Sequence, residues 1–192
     1  MRVAVISDIH DHLWNLAAAI EHVSAAAESL ICCGDLCSPF VMDALARFPG
    51  RVDIVFGNND ADLYRITRKS SDRVRVHGEL FETELDGKKV AVNHFNYLAR
   101  PMAAAGLYDF VCYGHNHNFG VARVGRTVAI NPGPIMGARF PDGKWEDVLP
   151  TFAIMDTRTG AVDAFGIHAD AGAARRIAPY VFEVADGWPG NS

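Results

Sequence analysis

No apolar run in this sequence approaches the roughly 20 residues that a bilayer-spanning helix needs, so no membrane partner is expected. A secretory h-region is missing too: Met1-Arg2 leads into Val3-Ala4-Val5-Ile6, and Asp8 ends that run at once. Cysteine is scarce, limited to Cys32, Cys33, Cys37 and Cys112. Cys33 and Cys37 have no second cluster at zinc-finger spacing, so structural zinc is not expected. Thiols within or just after apolar segments fit buried residues in a reducing, cytoplasmic compartment, with Cys32 and Cys112 in the core. Positive charge is not in excess. With 18 basic and 23 acidic residues the net charge is -5, and the electrostatic footprint of a long nucleic-acid partner is absent. The one basic concentration, residues 65–75 with Arg68, Lys69 and Arg73, reads as a solvated surface segment or a phosphate-binding patch. Internal repeats and linkers are not found either. A hydrophobic fraction of 49% over 192 residues argues against disorder and supports one domain spanning residues 1–192.

The order of elements gives an α/β class. Residues 2–7 read as a buried strand. Residues 11–27 follow as a helix carrying Leu13, Leu16, Ile20 and Val23 near a helical period. Residues 29–33 form a second strand. A helix starting at Ser38-Pro39 carries Val41, Met42, Leu45 and Phe48, Pro49-Gly50 stops it, and residues 52–56 form a third strand. This opening implies a parallel sheet with right-handed crossovers. Three hairpins are then expected around Asp86-Gly87, Gly125-Arg126 and Arg158-Thr159-Gly160, with a short strand at residues 109–113 between the first two. Residues 175–184 read as a late edge strand despite Pro179, and residues 137–150 as a surface loop with an unexplained Trp145. Two facing sheets with helices outside fit this order better than a simple doubly wound sheet.

Five short pieces rich in metal-binding side chains fall where hydrophobic runs stop: Asp8-Ile9-His10, Gly34-Asp35, Gly57-Asn58-Asn59-Asp60, Asn93-His94 and Gly114-His115-Asn116-His117. Ligands of open α/β sheets bind beyond the carboxyl ends of strands, so scattered pieces can share one rim. Carboxylate and imidazole are ligands for first-row divalent metals. Asp35 has two oxygens with which to bridge two cations. Asn58 offers a metal-binding carbonyl and an amide that can donate to a phosphate oxygen, without adding negative charge. Singly, Asp8 reads equally as a helix cap, Gly57-Asn58 as a turn and residues 114–117 as a loop. Jointly, four of eight histidines beside strand-end carboxylates point to metal-dependent hydrolysis of a phosphate ester. His22, His77 and His168 read as surface or packing residues.

The same motifs, in order over roughly residues 1–167, resemble the calcineurin-like metallophosphoesterase superfamily, especially its small bacterial and archaeal phosphodiesterase branch related to Vps29. The resemblance implies a four-layer α/β/β/α sandwich of the metallo-dependent phosphatase type. It implies two divalent metals, with manganese first and iron, zinc or nickel as alternatives. Asp8, His10, Asp35 and His117 would hold one, and Asp35, Asn58, His94 and His115 the other. A metal-bridging hydroxide would then attack a small phosphodiester. Asp35, Asn58, His94 and Asp60 are the expected catalytic residues, Asp60 either orienting a neighbour or shaping a turn. Asn131-Pro132-Gly133 matches a family segment at the rim.

Departures from the family pattern matter as well. Asn59 stands where many phosphatases of the family have a histidine, which removes that candidate general acid and shifts the expectation toward diesters with good leaving groups. Phe95 follows His94 where glycine is common, Asn116 separates His115 from His117, and Pro134 follows Asn-Pro-Gly. Phe95 and Tyr97 are expected to narrow the pocket or stack on a base or aromatic leaving group. The competing functions are a nucleotide or protein phosphomonoesterase and a Vps29-like protein-interaction scaffold. A homodimer through apolar residues of the C-terminal strand region is also compatible with the sequence.

Overall fold

Strand β1 (Arg2–Ile6) sends Val3 and Val5 to one side and Ala4 and Ile6 to the other. That period-two alternation, repeated through the chain, separates two cores. The structure is a computed structural model and is described for residues 1–169 and 174–188. After β1 come α1 (Leu13–Ala26), β2 (Ser29–Cys32), α2 (Val41–Leu45), β3 (Arg51–Ile54), α3 (Leu63–Arg68) and β4 (Val74–Val76). The chain continues with β5 (Leu80–Leu85), β6 (Lys88–Asn93), α4 (Asn96–Ala104), β7 (Phe110–Cys112), β8 (Gly120–Val124) and β9 (Thr127–Asn131). The small ribbon β10 (Ala138–Arg139) and β11 (Glu146–Asp147) precedes β12 (Thr151–Asp156), β13 (Val162–Ala169), β14 (Arg175–Pro179) and β15 (Val184–Asp186).

One sheet runs β14-β13-β12-β1-β2-β3-β4, with β1 to β4 parallel and β12 to β14 antiparallel. The other runs β15-β8-β9-β7-β6-β5, with β7 parallel to both β6 and β9. Val3, Val5, Ile31 and Met155 meet Val90, Val92, Phe110, Cys112 and Ile130 between the sheets. On the first sheet's outer face, Ala4, Ile6 and Leu30 pack under Leu16, Ile20 and Val23 of α1 and Met42 and Leu45 of α2. On the second sheet's outer face Ala91, Ala122 and Ala129 meet Ala99 and Ala103 of α4, small side chains that admit the helix closely. These are the four layers, helix–sheet–sheet–helix, that the sequence implies. Each large side chain fully buried here is worth about 1.5–3 kcal/mol relative to exposure.

Local differences from the sequence reading have local causes. Helix α2 begins at Val41, not at Ser38, because the Asp11 carboxylate takes both Ser38 N (3.0 Å) and Ser38 Oγ (2.7 Å) into its own turn. Helix α4 forms around Pro101, whose ring lies on the exposed side of the helix. Residues 175–184 do not form one strand. β14 closes the edge of the first sheet and β15 pairs with β8 in the second, so the segment crosses between sheets. Residues 137–150 contain the β10–β11 ribbon, pinned by Arg139 on Glu146 at 2.7 Å. The basic residues near 65–75 have structural uses: Arg73 reaches the Phe48 and Ala46 carbonyls, and Lys69 pairs with Asp43 at 2.5 Å. Among the described residues, no helix is long and apolar enough to cross a membrane.

Candidate metal centre

Main-chain hydrogen bonds stitch the loops at one end of the sandwich to one another. Asp8 N donates to the Gly34 carbonyl at 3.1 Å, Ile9 N and His10 N both donate to the Asp35 carbonyl at 2.9 and 3.0 Å, and Gly114 N donates to the His94 carbonyl at 2.9 Å. Residues from the ends of β1, β2, β3, β6 and β7 thereby meet at one rim. Close approach requires missing side chains: a Cβ on Gly114 would meet Ser7 Oγ and lie 2.7 Å from Asp8 Oδ2, and one on Gly57 would strike the Asp35 carboxylate. Asp8, His10, Asp35, His115 and His117 all have φ between 42° and 76°. That left-handed region costs a residue with a side chain about 1–2 kcal/mol.

The converging atoms form two overlapping groups. One atom each from Asp8, His10, Asp35 and His117 lie within 4.8 Å of one another. His10 Nε2 is 3.2 Å from His117 Nε2 and 3.3 Å from Asp35 Oδ2, and His117 Nε2 is 3.3 Å from Asp8 Oδ1. In the second group, Asn58 Oδ1 is 3.1 Å from His94 Nε2 and 2.8 Å from His115 Nδ1. His94 Nε2 is also 3.4 Å from Asp35 Oδ2, so Asp35 stands between the groups. Two carboxylates, an amide oxygen and four imidazoles, packed at hydrogen-bond distances, fit divalent first-row cations.

Partners behind these atoms set their direction. His94 donates through Nδ1 to the Cys33 carbonyl at 2.7 Å and His117 through Nδ1 to the Ala138 carbonyl at 2.6 Å, which aims both Nε2 atoms into the cluster. Cys37 Sγ lies 3.4 Å from His10 Nδ1. Asp60 does not face the cavity. Its oxygens accept from the backbone N–H groups of Asp35, Leu36, Cys37 and Gly57 at 2.7–3.1 Å, so it shapes the loop that presents Asp35. Asn59 donates from its backbone N and from Nδ2 to Asp35, each at 2.8 Å. Asn131 ties the Gly114 carbonyl at 3.2 Å and Asn116 Oδ1 at 2.8 Å.

The charges follow from this packing. Burial pushes the Asp35 carboxyl upward, but hydrogen bonds with His10, His94 and Asn59 outweigh it and hold the group well below the usual carboxylate range. Burial lowers His94 and His117, yet Asp35 and Asp8 beside the first and Asp8 beside the second raise both above an ordinary histidine. His115 is lowered by burial and by the neighbouring His94. Burial pushes the Cys37 thiol up to about 12, with Asp35 and Asp11 adding to it, so it is a neutral neighbour rather than a nucleophile.

All seven residues expected as ligands, Asp8, His10, Asp35, Asn58, His94, His115 and His117, lie in this cluster. Cys37 and the Cys33 and Ala138 carbonyls were missed, and main-chain carbonyls carry no residue-type signal. His77 and His22 are elsewhere: His77 bonds Asp53 Oδ1 at 2.7 Å and stacks on Phe81, and His22 packs against Phe165.

The fold and this set of side chains define the class, a metal-dependent phosphoesterase. The sequence pattern of the calcineurin-like phosphoesterase superfamily domain matches residues 1–160, and the chain belongs to that superfamily. It is 30% identical over 162 residues to the phosphodiesterase MJ0936 of Methanocaldococcus jannaschii, covering 82% of this chain and 93% of the relative. A solved structure described as a novel archaeal phosphodiesterase superposes with a TM-score of 0.75 at 27% identity, over 86% of this chain and 99% of the other. Vps29 of Chaetomium thermophilum shares the fold, with a TM-score of 0.68 at 16% identity, over 93% of this chain and 94% of that one.

Proposed function

We propose that the rim is a dinuclear centre that hydrolyses small phosphodiesters. Asp8, His10, Asp35 and His117 would hold one divalent cation, with Asp35, Asn58, His94 and His115 holding a second. The observation that carries this reading is the place of Asp35, whose Oδ2 lies 3.3 Å from His10 Nε2 in one group and 3.4 Å from His94 Nε2 in the other. When bound, such a pair supplies an activated water nucleophile and neutralises charge on the phosphoryl oxygens.

The chain's own residues set up the rest. Asp60 fixes the loop carrying Asp35, and the Cys33 and Ala138 carbonyls fix two imidazoles, so little reorganisation is needed when substrate arrives. The half-exposed His115 and the exposed Asn58 border the opening where a substrate phosphate enters. Asn59 supports the diester preference. Its side chain donates to Asp35 and has no titrating proton to give an alkoxide leaving group. The name of the 30%-identical relative supports the same substrate class. The reading of residues 1–192 as one domain is supported, among the described residues, by strands before and after residue 100 that share the central core. Free buried thiols at Cys32, Cys33 and Cys112 fit a reducing cytoplasm.

With manganese loaded, bis-p-nitrophenyl phosphate is expected to turn over faster than p-nitrophenyl phosphate, and an alkyl monoester slowest. A preference for the alkyl monoester contradicts the proposal. A scaffold function predicts that Asp35→Asn leaves esterase activity unchanged.

A further inference from the structure

The β10–β11 ribbon buries Ala138, but Phe140 and Trp145 between its strands belong to none of the three hydrophobic cores. It is nevertheless fixed to the metal-centre rim, because the Ala138 carbonyl at its start accepts from His117. Phe140 stands edge-on to the His117 ring at 5.6 Å, and Trp145 stands edge-on to Phe140 at 5.3 Å. Both aromatics are open to solvent, Phe140 at 46% and Trp145 at 62%. The indole is held in place by its own Nε1 donating to Asp147 Oδ1 at 2.8 Å. Phe140 borders a cleft of about 640 Å³ with His115, Asn116, His117, Asn118, Arg139, Pro141 and Asp142, and Trp145 stands behind Phe140, outside that lining. That volume falls in the range of about 300–1,000 Å³ usual for small-molecule sites.

A second aromatic ledge touches the same rim. Phe95 lies 5.1 Å and Tyr97 6.1 Å from the His115 ring, and Tyr97 is 60% exposed. A diester with phosphorus at the rim has two arms, and each finds an aromatic surface. Flat, pre-oriented rings beside an arginine suit a nucleobase, which stacks on aromatic faces whatever its identity. An aliphatic head group gains little from such a surface. We propose that the cleft is a base-binding subsite in which Phe140, buttressed by Trp145, receives one nucleoside arm of a short nucleotide diester. This rests on the reading of the rim as a phosphodiesterase centre.

The test uses the manganese-loaded full chain and two esters with the same leaving group, thymidine 5′-(p-nitrophenyl phosphate) and methyl p-nitrophenyl phosphate. The nucleoside ester is expected to show a kcat/KM about tenfold or more above the methyl ester, the scale of one base–aromatic stack. Phe140→Ala should bring that ratio close to unity, and Phe140→Tyr should retain most of it. In parallel, thymidine 5′-monophosphate should quench tryptophan fluorescence, and Trp145→Ala should abolish the quench although Trp14 and Trp188 remain. Equal kcat/KM for the two esters, or a ratio that Phe140→Ala leaves intact, overturns the subsite. Failure to turn over either ester overturns the phosphodiesterase reading instead. The subsite is then decided by fluorescence: quenching lost in Trp145→Ala supports it, and no quenching overturns it.

Discussion

The two ends of the sandwich fill the left-handed region of backbone space with different residues. At the end where three hairpins turn, Gly87, Gly125 and Gly160 occupy it, with Asp86 beside Gly87. At the rim Gly34 and Gly133 occupy it too, but so do Asp8, His10, Asp11, Asp35, Cys37, His115 and His117. The hairpins show what folding alone selects: a Cβ on Gly125 would touch nothing within 4 Å, so only its φ of 58° calls for glycine. At the rim Gly114 serves a different purpose, making room for the Asp8 carboxylate, while seven residues with side chains take strained conformations. Strain kept at about 1–2 kcal/mol per residue, and concentrated on carboxylates and imidazoles, marks side chains retained for chemistry.

Changes at the rim should therefore break function first and changes at the hairpins only stability. Asp35→Asn should have the largest effect, lowering kcat/KM for bis-p-nitrophenyl phosphate by more than the roughly 10- to 100-fold that outer partners of a metal site contribute. Circular dichroism should show the fold retained. Asp60→Asn comes next: with its four N–H partners disturbed, manganese affinity measured by calorimetry should drop about 10- to 100-fold. A matched glycine pair sharpens the contrast. Gly114→Ala should cost about 1–3 kcal/mol in denaturant unfolding, as an overpacked core position does, and weaken metal binding as well. Gly125→Ala should cost about 1–2 kcal/mol with manganese affinity unchanged. Equal loss of metal affinity in both variants would erase the distinction between the ends.

The smallest expected effect is on pH. Asp35 and Asp8 raise His94 and His117 in the metal-free protein, despite burial. A raised folded-state value stabilises fully below the unfolded value of about 6.5, and that contribution is lost as pH climbs through the folded values. Thermal stability of the metal-free chain should thus fall as pH rises above 6.5. Cations need the neutral rings, so manganese should restore stability increasingly over the same rise. Melting curves with and without manganese that run parallel across this range would contradict the assignment.

How much of this was legible in the sequence depended on whether the cause was local. The hairpins at Asp86-Gly87 and Gly125-Arg126 were readable because turn chemistry resides in the two residues themselves. The ligand pieces were readable because each follows an apolar run that must be a strand. Helix α4 was hidden by Pro101, and α3 and β4 are too short for periodicity to show. The division of residues 175–184 between two sheets follows from partners far away in sequence, β13 for one half and β8 for the other. At the site, the ligand types were visible but not what aims them. The Cys33 and Ala138 carbonyls act through position alone, and Asp60 looks like any strand-end carboxylate until its four N–H partners are seen. Nothing local in sequence shows that Trp145 packs against Phe140, the aromatic that lines the cleft.

If the strained rim serves to hold two cations around Asp35, the metal stoichiometry of the chain must show it. Titrating manganese into metal-free protein, with bound metal counted by mass spectrometry after dialysis, tests it most directly. Two equivalents per chain are expected in the wild type and fewer than two in Asp35→Asn. No bound manganese in the wild type, or two full equivalents in Asp35→Asn at unchanged affinity, would contradict it.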